Sequence, residues 1–334
     1  MAGVGNKILA ADYNQIQSRI ELTLGPGAGR DGYGQGDRQS TPRTVAQRIL
    51  LNDWLRLRND MIRIRRHQTG QGIGESNSLD GLNLLRPTTA DLITEELRNQ
   101  YDNMRRLIRD DRYVCAPSQG TLSTIHTASQ TVQWRAVKIH EIRVISSADG
   151  AGKAANFRYF FNAGGQLRFY SVLNRTGEPA ASVAKNASWE KIFSNDDPFY
   201  TSYYGGALRP NVVIFDYADT TAPTGNNSTV GFYDLTDTYQ FIFGKEAEAG
   251  VYAENDLVIK AKCNVADNFQ GGATLITFRI EYRDDSVGVF NPPRIRNDEL
   301  VSPFTSYVQA FRPSGPNVNV RGLGASLGPG SNLT

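Results

Sequence analysis

The chain has 334 residues, of which 40% are hydrophobic and 21% are charged, and its formal net charge is +2. This length exceeds one typical domain and supplies enough apolar material for a sizeable core. The near-neutral charge gives no electrostatic basis for binding nucleic acid or an anionic membrane surface. Two cysteines, Cys115 and Cys263, are too few for a disulfide framework, and no apolar run is long enough to insert into a membrane.

The N-terminal segment, residues 1–43, is expected to be a helix followed by an arm. Tyr13, Ile16 and Ile20 recur at helical spacing, which predicts a helix over residues 11–24. The glycine-dense stretch GPGAGRDGYGQGD comes next and predicts an extended arm that becomes ordered only against a partner. The opening residues lack the charged and apolar regions of a secretory signal, so we expect synthesis in the cytoplasm.

Residues 44–115 are predicted to form a helical hairpin, with helices over residues 44–66 and 88–112. In the first helix the apolar positions are spaced 4-3-4-3, as in a coiled coil. The apolar faces exceed what two helices can bury mutually, so we expect neighbouring copies, in a trimer, to cover them. A three-helix bundle that includes residues 11–24 is the alternative. The candidate oligomer interface consists of Leu50, Trp54, Leu57, Met61, Ile64, Ile93, Leu97, Tyr101, Met104 and Ile108.

Residues 116–285 are predicted to form an antiparallel β-sandwich, because the apolar period changes to two and turn residues separate short runs. The longest alternating run covers residues 131–145. The stretch NFRYFFNAGGQLRFY predicts a hairpin, with strands at 157–161 and 166–172 around the NAGG turn. A short helix is expected at 188–193. Further strands are expected at residues 211–217, 229–235, 239–243, 256–264 and 275–282.

The last stretch, residues 286–334, is dense in proline and glycine, as in RPSGPNVNV and GLGASLGPGSNLT. This composition predicts an extended C-terminal arm rather than part of a core. The expected fold class is therefore α+β multidomain. An N-terminal, coiled-coil-like helical hairpin precedes an antiparallel β-sandwich, and extended arms lie at both ends.

The sequence offers no convincing catalytic, cofactor or metal motif. The three histidines, His67, His126 and His140, do not follow the spacing of metal ligands, and no C-x-x-C pair occurs. The string ADGAGK at 148–153 lacks the first glycine and the final Ser/Thr of a phosphate loop. The string GASLG at 324–328 fits a nucleophile elbow by letters alone, since neither a strand nor a helix flanks it. We therefore expect no catalytic residue, no cofactor and no metal, and a protein that is not an enzyme.

Aromatic side chains supply two further hypotheses. The rings and arginines of NFRYFFNAGGQLRFY resemble a single-strand nucleic-acid platform, but residues 113–334 contain 19 basic and 20 acidic residues and so lack its positive field. Tyr200, Tyr203 and Tyr204, in FYTSYYGG, are a candidate glycan contact, because tyrosine rings stack on sugars. The alternative is that these tyrosines are packed or lie at a subunit contact.

Three stretches carry a resemblance to a known family. FRYFFNAGGQLRFYS, the later SWEKIF with Trp189, and LVIKAKCNV together resemble a β-domain of tailed-bacteriophage, cyanophage-like virion proteins. The opening MAGVGNKILAADYNQIQSRI is similar to the N-termini of such proteins. The resemblance covers residues 1–25 and 155–282 and leaves the helices of residues 44–112 uncovered.

The resemblance implies a virion structural protein of the tail, baseplate or tail fibre, located in the virion tail, whose partners are itself and other virion proteins. No catalytic residue comes with this family. A receptor-binding module that holds host surface glycan is the alternative function. A glycan depolymerase with carboxylate catalysis is a third hypothesis, for which the sequence supplies no motif.

Overall fold

The protein has an α+β fold, in agreement with the predicted class. The computed structural model describes residues 10–44, 47–71, 87, 95–147, 152–176, 183–193, 212–218, 220–221, 225–247, 252–286, 290–291, 294–295 and 300–334. The helices of this part are α1 (Ala10–Leu24), α2 (Leu51–Thr69), α3 (Glu95–Asp110), α4 (Gly152–Asn162) and α5 (Val183–Phe193). The strands are β1 (Gly120–Gln130), β2 (Ala136–Ser146), β3 (Gln166–Leu173), β4 (Val213–Phe215), β5 (Thr220–Thr221), β6 (Asn226–Asn227), β7 (Gln240–Glu246), β8 (Asp256–Cys263), β9 (Leu275–Asp284), β10 (Phe290–Asn291), β11 (Arg294–Ile295), β12 (Phe304–Pro313) and β13 (Leu323–Leu327).

The chain divides into two compact units, each assembled from three separate stretches. The first unit comprises Met1–Thr121, Ala155–Gly165 and Arg312–Arg321. The second comprises Leu122–Ala154, Gln166–Phe311 and Gly322–Thr334. The chain thus crosses between the two units five times.

In the first unit, α1, α2 and α3 pack on one another through aromatic and aliphatic side chains. The Trp54 ring of α2 lies edge-on to Tyr13 of α1, with ring centroids 5.5 Å apart, and edge-on to Tyr101 of α3 at 5.1 Å. Each helix therefore buries its apolar stripe against the other two. This arrangement is the three-helix alternative that the sequence left open.

The glycine-rich segment after α1 is fixed onto the same unit, so the prediction of an arm over residues 25–43 is wrong. The Tyr33 side chain is buried, and its hydroxyl donates to the Arg112 carbonyl oxygen at 2.6 Å. The carboxylate of Asp60, on α2, accepts from the Ser40 amide at 2.8 Å and from the Ser40 hydroxyl at 2.6 Å. Irregular backbone becomes ordered here because buried side chains of the same chain satisfy its polar groups.

The aromatic run at 157–161 is helical, which corrects the predicted hairpin. Phe157, Phe160 and Phe161 recur at helical spacing, and all three are fully buried on one face of α4. The helix ends before Gly164, whose φ of 82° is left-handed. A Cβ at Gly164 would lie 2.5 Å from the Cys115 nitrogen, so only glycine fits this turn. The following strand, β3, was predicted.

The second unit contains two antiparallel sheets. The strand orders are β1-β12-β3-β4-β5 in the five-stranded sheet and β13-β2-β9-β8-β7-β6 in the six-stranded sheet. Rings from the two sheets contact each other: Phe169 lies 4.7 Å from Phe278, and Tyr282 lies 4.2 Å from Phe304, between centroids. Apolar side chains of both sheets thus share one core.

The C-terminal stretch supplies strands to both sheets, so the prediction of an extended arm over residues 286–334 is wrong for its described part. Strand β12 pairs with β3 from Phe304↔Leu173 to Phe311↔Gln166, and β13 pairs with β2. The period-two pattern of FTSYVQAF places Phe304, Ser306, Val308 and Ala310 in the interior. This pattern outweighs the prolines around it: Pro303 precedes β12, Pro313 is its last residue and Pro316 follows it.

Three further predictions need correction. The strand expected at residues 131–145 is β2, which begins later, at Ala136. A second strand, β1, precedes it and was not predicted, because its residues do not alternate between apolar and polar. The strand expected at 229–235 is replaced by a 3-10 turn at Phe232–Asp234, where the Asp234 carboxylate accepts from the Gly231 amide at 3.2 Å. The short helix expected at 188–193 begins earlier, at Val183.

Candidate functional site

The predicted oligomer interface lies largely inside the first unit. Leu50 is 56% exposed, and Ile93 falls outside the described residues. The other eight side chains are at most 4% exposed, namely Trp54, Leu57, Met61, Ile64, Leu97, Tyr101, Met104 and Ile108. The surplus apolar surface that motivated a seam between chains is thus already covered within one chain. The predicted glycan contacts, Tyr200, Tyr203 and Tyr204, lie outside the described residues.

A cysteine and a histidine come together in the first unit. The Cys115 Sγ atom lies 3.9 Å from His67 Nδ1, and His67 Nε2 donates to the Ala163 carbonyl oxygen at 2.8 Å. Burial raises the pKa of the Cys115 thiol to about 12 and lowers the pKa of His67 to about 4. The thiol therefore stays protonated and the imidazole stays neutral, whereas a reactive cysteine needs a lowered pKa. His67 connects α2 to the turn after α4, and the protonated Cys115 thiol is not a nucleophile.

A chain of polar side chains, all buried except the half-buried His126, links the two sheets of the second unit. His140 Nδ1 lies 2.8 Å from the Ser306 hydroxyl oxygen, and His140 Nε2 lies 3.2 Å from His126 Nδ1. Tyr282 shares hydrogen bonds with Ser306 and with Ser171, the latter at 2.7 Å. These five residues come from β1, β2, β3, β9 and β12, so the hydrogen bonds cross the core from sheet to sheet.

The Ser306–His140 contact has the outline of a nucleophile and its base but lacks their properties. Both side chains are completely buried, so a substrate has no access to the hydroxyl oxygen. Burial and the neighbouring His126 lower the pKa of His140 to about 3, too low for a general base at neutral pH. A second histidine also occupies the place where a hydrolase positions a carboxylate. The chain of hydrogen bonds satisfies buried polar groups and fixes the sheets to each other.

A cluster of charges surrounds Glu281 on β9. Its carboxylate accepts from Lys260 Nζ at 3.1 Å and from Arg283 Nε at 2.9 Å, and Arg279 Nε lies 3.1 Å away. Burial alone would raise the pKa of Glu281, but the hydrogen bonds from Arg283 and Lys260 hold it below its ordinary value. Glu281 is therefore ionised at neutral pH and unsuited to donate a proton. Its three cations make it a cross-strand ion-pair centre.

A buried ion pair lies at the base of α5. Lys185 Nζ lies 2.7 Å from an Asp284 carboxylate oxygen, and both side chains are at most 1% exposed. The other Asp284 oxygen accepts from the Ser286 hydroxyl at 3.2 Å. Asn186, the next residue of α5, exchanges hydrogen bonds with Ser302 at 2.8 and 2.9 Å. These contacts hold α5 against two different strand-end segments.

A cavity of about 10 Å³ lies in the second unit among Phe169, Ser171, Phe193 and Ile280, which is room for about one water molecule. Nowhere in the described ranges do three or more His, Cys, Asp or Glu side chains gather as a possible metal site. None of the helices in the described part has the length and hydropathy needed to cross a bilayer.

Comparison with known proteins adds no relative. The chain matches no family model, no curated protein and no solved structure.

Proposed function

We propose that the protein is a non-enzymatic structural subunit of a tailed-phage virion, part of the tail, baseplate or tail-fibre apparatus. The observation that carries the proposal is that the chemically capable side chains act as structural links. His67, His140 and Ser306 are buried and Cys115 is half-buried, and each one contacts a segment distant in the sequence. The resemblance of the chain to tailed-phage virion proteins supplies the biological context.

Further long-range hydrogen bonds support a structural role. In the first unit, the Asn162 amide donates to the carbonyl oxygens of Asp31 at 2.9 Å and Gly32 at 3.0 Å. In the second unit, the Glu141 carboxylate accepts from the Tyr239 hydroxyl at 2.8 Å and from the Gly330 amide at 3.1 Å. These bonds order loops and the last residues of the chain without a partner.

The finer architecture is part of the proposal. The two sheets of the second unit are proposed to form a β-sandwich, with α5 closing one end through Trp189 and Phe193. The α2–α3 pair is proposed to be a helical hairpin within the three-helix packing. The sequence resemblance included a strand–turn–strand hairpin at 157–172, but this segment is a helix followed by a strand. The resemblance therefore supports the proposal through its residues and not through that hairpin.

The test is to find the chain in particles. Antibodies raised against the purified protein would label tailed-phage particles that encode it, and mass spectrometry would follow its ratio to the major tail protein across a density gradient. We expect tail-localised label and a constant ratio in every fraction that contains intact particles. Complete, infectious particles that lack the chain would contradict the proposal.

A host-glycan receptor-binding module is the second candidate, favoured by the tyrosines of FYTSYYGG. The variant Tyr203→Ala/Tyr204→Ala would then lose binding to host lipopolysaccharide, whereas Phe269→Ala, at a 54% exposed ring elsewhere, would keep it. Absence of binding by the intact protein would end this candidate.

A further inference from the structure

The longest free sheet edge in the described residues is β1. It ends the five-stranded sheet and runs for 11 residues. The other edges of the two large sheets are short: β5 and β6 have two residues each, and β13 has five. An edge strand presents a row of unpaired backbone N–H and C=O groups, which is a template for another strand. The short edge strands present few unpaired backbone groups, whereas β1 presents many more.

The sequence of β1, GTLSTIHTASQ, lacks the features that protect natural edges. It contains no lysine, arginine, aspartate, glutamate or proline. Native edge strands usually carry charges, prolines or bulges that prevent pairing with another chain. The paired strands of the neighbouring sheet do carry charges, such as Lys138 and Arg143 of β2. Charges are thus present on a paired strand and absent from the edge strand β1, where they would prevent pairing with another chain.

The side chains of β1 also suit a copy of themselves. Five hydroxyl residues are exposed, namely Thr121, Ser123, Thr124, Thr127 and Ser129. Cross-strand Thr–Thr and Thr–Ser pairs form favourable hydrogen bonds in antiparallel sheets. The one titratable residue, His126, is directed to His140 and bonds it at 3.2 Å. Two copies of β1 therefore bring hydroxyl and apolar groups together and never two charges.

We propose that β1 is an assembly edge, on which β1 of a second copy pairs antiparallel about a two-fold axis. A two-fold contact is isologous, so each residue faces a residue from the same segment. Any charged residue near the axis would meet its own copy, and β1 has none. The pairing would continue the five-stranded sheet into the second copy. This inference goes beyond the proposed function, because it concerns the purified chain and does not depend on its place in a virion.

The test measures the mass of the chain in solution before and after charges are introduced on β1. Sedimentation equilibrium would compare the native chain with Ser123→Lys/Thr127→Lys, which places like charges on the proposed contact. The control is Val172→Lys, at a 44% exposed position of the interior strand β3 in the same sheet. We expect a reversible dimer for the native chain and for the control. The double lysine variant should have a dimer dissociation constant at least about tenfold higher, because like charges opposite each other in paired strands are unfavourable.

Hydrogen exchange separates the edge from other interfaces. Amides of residues 121–129 should exchange more slowly as the native chain is concentrated, and this dependence should vanish in the double lysine variant. Circular dichroism should show that the variant keeps its secondary structure, since an isolated edge is solvated. A native chain that is monomeric throughout the micromolar range, a trimer, or a dimer unaffected by the lysines would overturn the proposal. Particles can contain the chain in all these cases, so the two proposals fail independently.

Discussion

The two units use buried polar side chains in different ways. In the first unit, Asp60 and Asn162 bond mainly to backbone and thereby order irregular segments around three helices. In the second unit, the His126–His140–Ser306 contacts and the Lys185–Asp284 pair join buried side chains directly to other side chains. The comparison shows that loops are tied to a helical core in one unit, whereas strands and α5 are tied together in the other. Four substitutions or pH changes test this difference.

The largest expected effect is in the apolar core of the first unit. Trp54→Ala removes a 1% exposed ring that contacts both Tyr13 and Tyr101, so we expect the free energy of unfolding to fall by about 3–5 kcal/mol. Urea titration at constant protein concentration measures it. Leu50→Ala, at an exposed position, should change it by less than about 0.5 kcal/mol. If Trp54→Ala instead lowered the mass of an oligomer and left the stability of the monomer nearly unchanged, the predicted helical interface between chains would be supported.

The ion pair of the second unit should show strong coupling. Lys185→Met leaves the buried Asp284 carboxylate without its cation, and we expect a loss of about 3–5 kcal/mol. The double variant Lys185→Met/Asp284→Leu should recover most of this loss, because no charge is left buried. A double variant whose loss equals the sum of the losses of Lys185→Met and Asp284→Leu would show that the pair is not coupled. The measurement is a double-mutant cycle of urea unfolding.

The pH dependence of stability should report the buried histidine of the first unit. His67 has its pKa lowered from about 6.5 to about 4 by burial, so below pH 6.5 the unfolded chain binds a proton that the folded chain does not. Stability is therefore complete above pH 6.5 and is lost as pH falls towards 4, by roughly 3 kcal/mol. His67→Gln, whose amide can still donate to Ala163, should remove this part of the slope in urea titrations at fixed pH. An unchanged slope would contradict the role given to His67.

The smallest effect concerns the polar chain between the sheets. Ser171→Ala removes one of the two hydroxyl partners of Tyr282, and Ser306 still bonds the phenol. We expect a loss of about 1 kcal/mol in the free energy of unfolding. Ser129→Ala, at an exposed hydroxyl of β1, is the control and should have almost no effect on the monomer. Equal effects of the two substitutions would argue against a stabilising chain.

The sequence predicted the elements whose periodicity is strong and local. The spacing of Trp54, Leu57, Met61 and Ile64 identified α2, and alternation identified β2, β8 and β9. It did not show that α1 completes the helical packing within one chain, because a stripe of apolar residues does not specify which partner covers it. The apolar surface of α2 and α3 that we expected other chains to cover is therefore covered in part by α1 of the same chain.

Other elements depend on contacts far apart in the sequence. Strand β1 has hydroxyl residues in place of alternating apolar ones, and it is a strand because β12, almost two hundred residues later, pairs with it. The rings at 157–161 fit a strand by composition, but their spacing of three and four residues allows a single buried helical face. The His126–His140–Ser306 contacts and the Lys185–Asp284 pair join distant segments, so no local spacing could reveal them.

The most direct test of the account is a density map of the intact phage tail at a resolution that traces the chain. The account predicts that both units fit a repeated feature of the tail, baseplate or fibre, each at the same position in every particle. It also predicts that two copies meet along Gly120–Gln130. A complete tail map in which every density is assigned to other chains would contradict the proposed function. A map that contains the chain with β1 exposed to solvent would contradict the two-fold edge alone.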